Sequence, residues 1–342
     1  MAGVYYYSGI YKEVHRGKAI ILAYHRVLPE QEMDGMYVQP GMYVSKDVFE
    51  MQMQFLKEHF TVVSFGELID LWNKNTYDPR KRYCVITFDD GWLDNYTYAY
   101  PVLKRYEIPA TIFLPTAFVG TNKWFWPDKI GFLLRHYLKA NVEEGKKRLV
   151  PSLWDQYPWM KEFEKRPGEE KLDLVIDRLK RLPEDEVHHL IENTSRIFEV
   201  ELPEKRVLLN WEEVKEMSEN GISFGSHSAH HKVLTRIKVA EAREEVESSL
   251  GVLKGKNINL IPVFCYPNGE YNGEMQELVK QSGYQAAVTT RFGFEYESPQ
   301  NLFGINRIGI HNDMTPTVQR LSWHIAGYDY RLSRLKPFDR RL

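Results

Sequence analysis

The sequence predicts an α/β barrel of about seven strands, and three observations carry that prediction. Short apolar runs recur along the chain, each run closes on polar or turn residues, and helical patterns follow the closures. Strands alternating with helices pair in parallel, because a parallel neighbour needs a crossover long enough to hold a helix. Seven candidate strands in 342 residues fit a barrel better than a two-layer sandwich.

The candidate strands are Ala19–Tyr24, Tyr83–Phe88, Ala110–Leu114, Ile222–Gly225, Leu260–Tyr266, Gln285–Thr289 and Ile308–Ile310. Among the helical segments is Ser45–His59, where Phe49, Met53 and Leu56 recur at helical spacing. Another is Val239–Leu253, rich in Glu, Ala and Leu. From about Thr121 to Arg206 the strand rhythm stops. Leu172, Val175, Ile176, Leu179 and Leu182 form one helical stripe there, and Val187, Leu190, Ile191 and Ile197 another. Both read as helix–helix packing. The chain is therefore read as one barrel domain over 1–342, with a helical insertion at about 121–206, a candidate lid, and a short basic tail at 331–342.

Composition narrows the function classes. Hydrophobic residues make up 43% and charged residues 27%, an ordinary soluble globular balance. The 45 Lys and Arg nearly match the 47 Asp and Glu, so the basic excess of a nucleic-acid binder is missing. Cys84 and Cys265 lie in apolar runs without a metal-spaced partner, and read as small buried side chains. No stretch approaches the ~20 apolar residues of a membrane span, and the first residues lack a signal-peptide core. These features predict a cytoplasmic chain; the oligomeric state is not legible.

Three segments carry chemistry, each just past the end of a candidate strand. The first is Thr87-Phe88-Asp89-Asp90-Gly91. Adjacent carboxylates are costly to hold together without a cation, and Gly91 permits a sharp turn. The second is His227-Ser228-Ala229-His230-His231. On a helical turn His227 and His231, four apart, face the same way and can share a metal, with Asp90 as third ligand. Two imidazoles, one carboxylate and an open position make a catalytic metal set, suited to zinc and also to cobalt, nickel or iron. The third is Phe264-Cys265-Tyr266-Pro267-Asn268-Gly269, by itself an ordinary strand and turn. Each alone is weak. Their shared place at carboxyl ends of strands is where barrel enzymes keep their active sites. His188-His189, adjacent on a presumed helix, cannot chelate together and read as solvated.

The chain resembles the polysaccharide deacetylase family (carbohydrate esterase family 4). Thr87–Gly91 matches its first motif, His227 to His231 its second, and the Tyr-Pro-x-Gly turn at Tyr266–Gly269 the third motif of one branch. Ala23–Val27, Pro109–Phe113 and Asn306–Ile308 also look familiar, so the resemblance covers roughly residues 19–120 and 207–312.

The resemblance implies a distorted (β/α) barrel and one divalent metal ion, zinc first, held by Asp90, His227 and His231. It implies that Asp89 is the general base and that the Tyr266 N–H, in the Tyr266-Pro267 turn, faces the oxyanion. Two departures stand out. The arginine that usually pairs with the base is missing from the third motif, and Arg307 is the candidate substitute. The family's acidic histidine has a loose match at His311, with His25 as the alternative.

The function so implied is a metal-dependent hydrolase that removes N-acetyl groups from an N-acetylated saccharide, a surface polysaccharide or its precursor. The alternatives are an amidohydrolase of a small non-sugar amide on the same barrel, and a carbohydrate-binding pseudoenzyme. A cytoplasmic location would favour a nucleotide-linked or lipid-linked sugar, with Trp124, Phe125 and Trp126 stacking on its rings.

Overall fold

The computed structural model describes residues 2–33, 38–39, 41–143, 157–160 and 170–335. Its strands are β1 (Ala19–Tyr24), β2 (Arg26–Leu28), β3 (Tyr43–Ser45), β4 (Thr61–Val62), β5 (Tyr83–Phe88), β6 (Ala110–Leu114), β7 (Ile222–Ser226), β8 (Leu260–Cys265), β9 (Ala286–Val288) and β10 (Ile308–Gly309). The main sheet runs β10-β1-β5-β6-β7-β8-β9, with β4 beside β5, and all of its ladders are parallel. These seven strands are the seven expected, curled into a distorted (β/α) barrel. Ile305, just ahead of β10, bridges Val288 of β9, drawing the two ends of the sheet together.

Boundaries moved where hydrogen bonding changes. The expected strand Leu260–Tyr266 stops at Cys265, because Pro267 has no N–H with which to continue the ladder. Strands β2, β3 and β4 escaped the sequence reading because two or three residues are too few to show an alternation. Among the described residues β2 and β3 pair only with each other.

Two compact units divide the chain: residues 1–29, 41–121 and 207–342 in one, and 30–40 with 122–206 in the other. The first holds the barrel. Along β1 and β5, side chains alternate between two cores. Ile20, Leu22, Tyr24, Cys84, Ile86 and Phe88 pack on the helix Lys46–His59 through Phe49, Met53 and Leu56. Ala19, Ile21, Tyr83 and Val85 join Val263, Cys265 and the helix Phe65–Asn73. Both helices start where the sequence provides an N-cap: Ser45 accepts from Val48 N–H, and Ser64 forms a reciprocal capping box with Glu67.

In the second unit the helices Trp126–Glu143, Glu170–Leu179 and Glu184–Phe198 share one apolar cluster. Both stripes picked out in the sequence lie in it, with Leu182 and Ile197 at its edge. His188 and His189 are exposed. Both cysteines are free and buried, and no described helix is long and apolar enough to cross a membrane.

Candidate active site

The site grows from the end of β5. Asp89 N–H still donates to the Tyr24 carbonyl, at 2.9 Å, continuing the ladder. Asp90 and Gly91 then turn the chain with φ of 72° and 65°, in the left-handed region. Glycine suits the second place, since a Cβ on Gly91 would lie 2.5 Å from Leu114 Cδ2 and would displace that side chain. For Asp90 the same conformation is strain of the kind that collects at functional sites.

The second wall is the loop after β7. His227 N–H donates to the Leu114 carbonyl at 2.9 Å. The expected helical turn is absent. Residues 227–231 form an irregular loop in which Ser228 and His231 take φ of 62° and 60°. Glu245, buried on the helix Val239–Lys254, ties that loop down: its Oε2 accepts from the N–H groups of Ala229 (3.0 Å) and His230 (2.7 Å). The exposed His230 ring, off the metal face, meets Glu245 Oε1 through Nδ1 at 2.7 Å.

The loop still brings His227 and His231 together, with ring centroids 4.7 Å apart and planes at 76°. Their Nε2 atoms lie 3.5 and 3.4 Å from one oxygen, Oδ1 of Asp90. The tautomer of His227 follows from its other nitrogen. Nδ1 sits 2.8 Å from the Cys265 carbonyl, which can only accept, so in the neutral ring Nδ1 carries the proton and Nε2 is left with the lone pair that a cation needs. Metal-binding histidines are commonly held by such a bond to a backbone carbonyl. These residues fit a divalent transition metal: two imidazole nitrogens and a carboxylate oxygen converging on one point. A second grouping, Asp89, His227 and Cys265, is also compact. It fits a cation poorly, because Arg307 already occupies both the Asp89 carboxylate and the Cys265 sulfur.

Arg307, just before β10 and fully buried, grips Asp89 with two parallel hydrogen bonds: Nη1 to Oδ1 and Nη2 to Oδ2, both 2.7 Å. Its Nε donates to the Thr289 carbonyl at 2.8 Å, fixing the guanidinium plane. Burial pushes the Asp89 carboxyl up, but Arg307 more than offsets it and holds the group at about 2. Burial likewise opposes ionisation of Asp90, but its close contacts with His227 and then His231 bring it well below the usual carboxylate range. His231 is lowered to about 4, first by burial and then by His227.

The two candidate acids part company. His25 Nε2 lies 3.9 Å from Asp89 Oδ2 and is partly open to solvent. His311 pairs with Asp313 on the loop after β10, and has no ion pair with either site aspartate. Tyr266, expected to face the oxyanion through its N–H, has that group engaged in this structure. Its N–H donates to the Val288 carbonyl at 3.2 Å, and its neighbour Pro267 has no N–H to offer in its place. The Tyr266 ring is buried, its hydroxyl donates to the Phe303 carbonyl, and it stacks on Tyr271 at 4.9 Å.

Several residues went unnoticed in the sequence. Trp92 donates its indole N–H to Asp90 Oδ2 at 3.1 Å. Asn95 Nδ2 donates to the His25 carbonyl at 2.8 Å, and Asp94 accepts from Arg26 Nε and Val27 N–H at 2.8 and 2.9 Å. The only available signal was proximity: Trp92, Asp94 and Asn95 follow the paired aspartates directly.

Comparison with known proteins agrees with this geometry. A family model described as polysaccharide deacetylase matches residues 76–156 and 173–287. A poly-beta-1,6-N-acetyl-D-glucosamine N-deacetylase of Staphylococcus epidermidis is 28% identical over 221 residues, 61% of this chain and 72% of that protein. Among solved structures, the Streptococcus pyogenes deacetylase PplD, in complex with acetate, superposes with a TM-score of 0.56 at 21% identity, covering 90% of this chain and 98% of that one. IcaB from Ammonifex degensii gives 0.54 at 18% identity, covering 90% and 97%. At those identities the two structures speak for the fold.

Proposed function

Because this chain belongs to the polysaccharide deacetylase family, we propose that it hydrolyses the N-acetyl amide of an N-acetylated saccharide at the site around Asp89 and Asp90. The family's members are metal-dependent deacetylases that act on carbon–nitrogen amide bonds. One observation carries the reading to these residues. Both imidazole Nε2 atoms approach one Asp90 oxygen within 3.5 Å, while the adjacent Asp89 is claimed by Arg307 instead. Neighbouring carboxylates in such different settings divide a ligand from a base.

Asp90, His227 and His231 would hold the divalent cation, zinc first among the candidates. Bound there, it supplies acidity to a water and polarises the acetamide carbonyl, which lets a carboxylate of low pKa serve as base. Asp89 then takes the water's proton, on an oxygen whose orientation Arg307 fixes. His25, near Asp89 and reachable from solvent, delivers a proton to the departing amine nitrogen. The products are acetate and a saccharide bearing a free amine. The Staphylococcus epidermidis relative is named for a poly-β-1,6-linked N-acetylglucosamine, which makes polymers and oligomers of N-acetylhexosamine the first substrates to try.

The experiment is acetate release by the zinc-loaded protein from N-acetylglucosamine oligomers of different linkage, beside simple non-sugar acetamides. Turnover of the oligomers is the expected result. Turnover confined to non-sugar amides would overturn the saccharide assignment, and no turnover with bound zinc would overturn the hydrolase.

A further inference from the structure

We propose that Trp92 is a positioning residue that limits Asp90 to one cation-facing oxygen, an inference that rests on the ligand set assigned above. An indole N–H can only donate, so its 3.1 Å contact engages Asp90 Oδ2 as acceptor. The oxygen left over, Oδ1, is the one that His227 and His231 approach. The carboxylate is thereby divided: one oxygen for the indole, one for the cation.

Trp92 can impose this because it is fixed without help from Asp90. Its backbone bridges Leu208, flanked by Leu93 N–H to the Val207 carbonyl and Leu209 N–H to the Gly91 carbonyl, both 2.9 Å. The Arg26 guanidinium lies 4.3 Å from the centre of its ring. Arg26 is itself anchored by Asp94, whose second oxygen holds Val27 N–H. Trp92 is 2% exposed, so the indole has no room to swing away. Hydrogen-bond partners of metal ligands typically account for ~10- to 100-fold in metal affinity.

The alternative is that Trp92 only fills space, and the test separates shape from the N–H. Trp92 is replaced by 3-benzothienylalanine, which keeps the fused ring and puts sulfur in place of the N–H, and in parallel by phenylalanine. Metal-free full-length protein is titrated with Co2+, followed by visible absorption. We expect the benzothienyl variant to bind Co2+ ~10- to 100-fold more weakly. Its visible band should weaken as the freed Oδ2 also reaches the ion and raises the coordination number. The unfolding midpoint of the metal-free protein should hold. Wild-type affinity and spectrum in the benzothienyl variant would overturn the inference, even where Trp92→Phe fails to fold. Wild-type protein that binds no Co2+ would overturn the inference and the ligand assignment together; wild-type binding with an unaltered variant overturns the inference alone.

Discussion

Arg307 and Asp89, 218 positions apart, meet as a two-pronged pair inside the barrel, with both N–O distances at 2.7 Å. The pair is buried on both sides, so its effect on Asp89 is not diluted by water. Arg307→Met should leave an unpaired buried carboxylate and cost about 3–5 kcal/mol of stability. The pH profile gives the sharper check. In its proposed role as base Asp89 must be ionised, and Arg307 holds its pKa near 2, below the ordinary 3.8. Without the guanidinium the upward push of burial is opposed only by the smaller pull of His227 and His25, so the acid limb of kcat/KM should move to higher pH. An acid limb that stays in place would detach Arg307 from the base.

Asp89→Asn keeps the shape and removes the proton acceptor. The expected outcome is full metal content with turnover reduced ~10²- to 10⁴-fold. Metal analysis beside acetate release checks both halves, and near-normal turnover would remove Asp89 from the chemistry.

His227→Ala and His231→Ala should each abolish stoichiometric zinc and acetate release together. Full metal occupancy in the doubly substituted protein would end the assignment of the cation to these side chains.

How much of this was legible follows residue by residue. Asp89, Asp90, His227 and His231 stood out because each pair is local in sequence and each follows an apolar run that became a strand. The geometry joining the histidines did not. Spacing of four suggests a helical turn, yet left-handed Ser228 and His231 bring the rings together in a loop, which composition cannot signal. Arg307 could be named only as a substitute for a missing arginine, since nothing local links it to β5. Trp92 was invisible as a donor, because the direction of its N–H depends on Leu208 and Arg26, distant in sequence.

His25→Gln should slow amide hydrolysis far more than hydrolysis of an activated acetate ester, whose leaving group departs without a proton. His311→Gln, in a residue engaged by Asp313, should leave both nearly unchanged. Equal losses on the two substrates in the His25 variant would deny it the role of acid.

His15 offers a prediction about stability alone. It is fully buried between Phe60 and Phe294, and among the described residues neither ring nitrogen has a hydrogen-bond partner. Burial, and then the charges of Lys18 and Arg82, lower its pKa from 6.5 to about 3. Below pH 6.5 the unfolded chain takes up a proton that the folded chain refuses until about pH 3, so stability falls across that window. His15→Phe should be more stable by about 1–3 kcal/mol, the usual cost of burying an unsatisfied polar group. Urea unfolding at pH 7 and pH 5 should show the gain widening in acid. A gain that narrows would contradict the buried neutral imidazole.

The parallel pairing of β1 with β10 ties an early strand to a late one, with Leu22 opposite Ile308. Contacts so distant in sequence form late in folding, because the intervening chain must be ordered before they reward it. Asp90, His227 and His231 all lie ahead of the final strand in the chain, while Arg307 is carried in beside it. A partly folded chain can therefore gather the cation donors before the base has its counter-charge. Zinc capture is expected to run ahead of catalytic competence during refolding, with docking of the final strand as the event that turns a metal-binding intermediate into an enzyme.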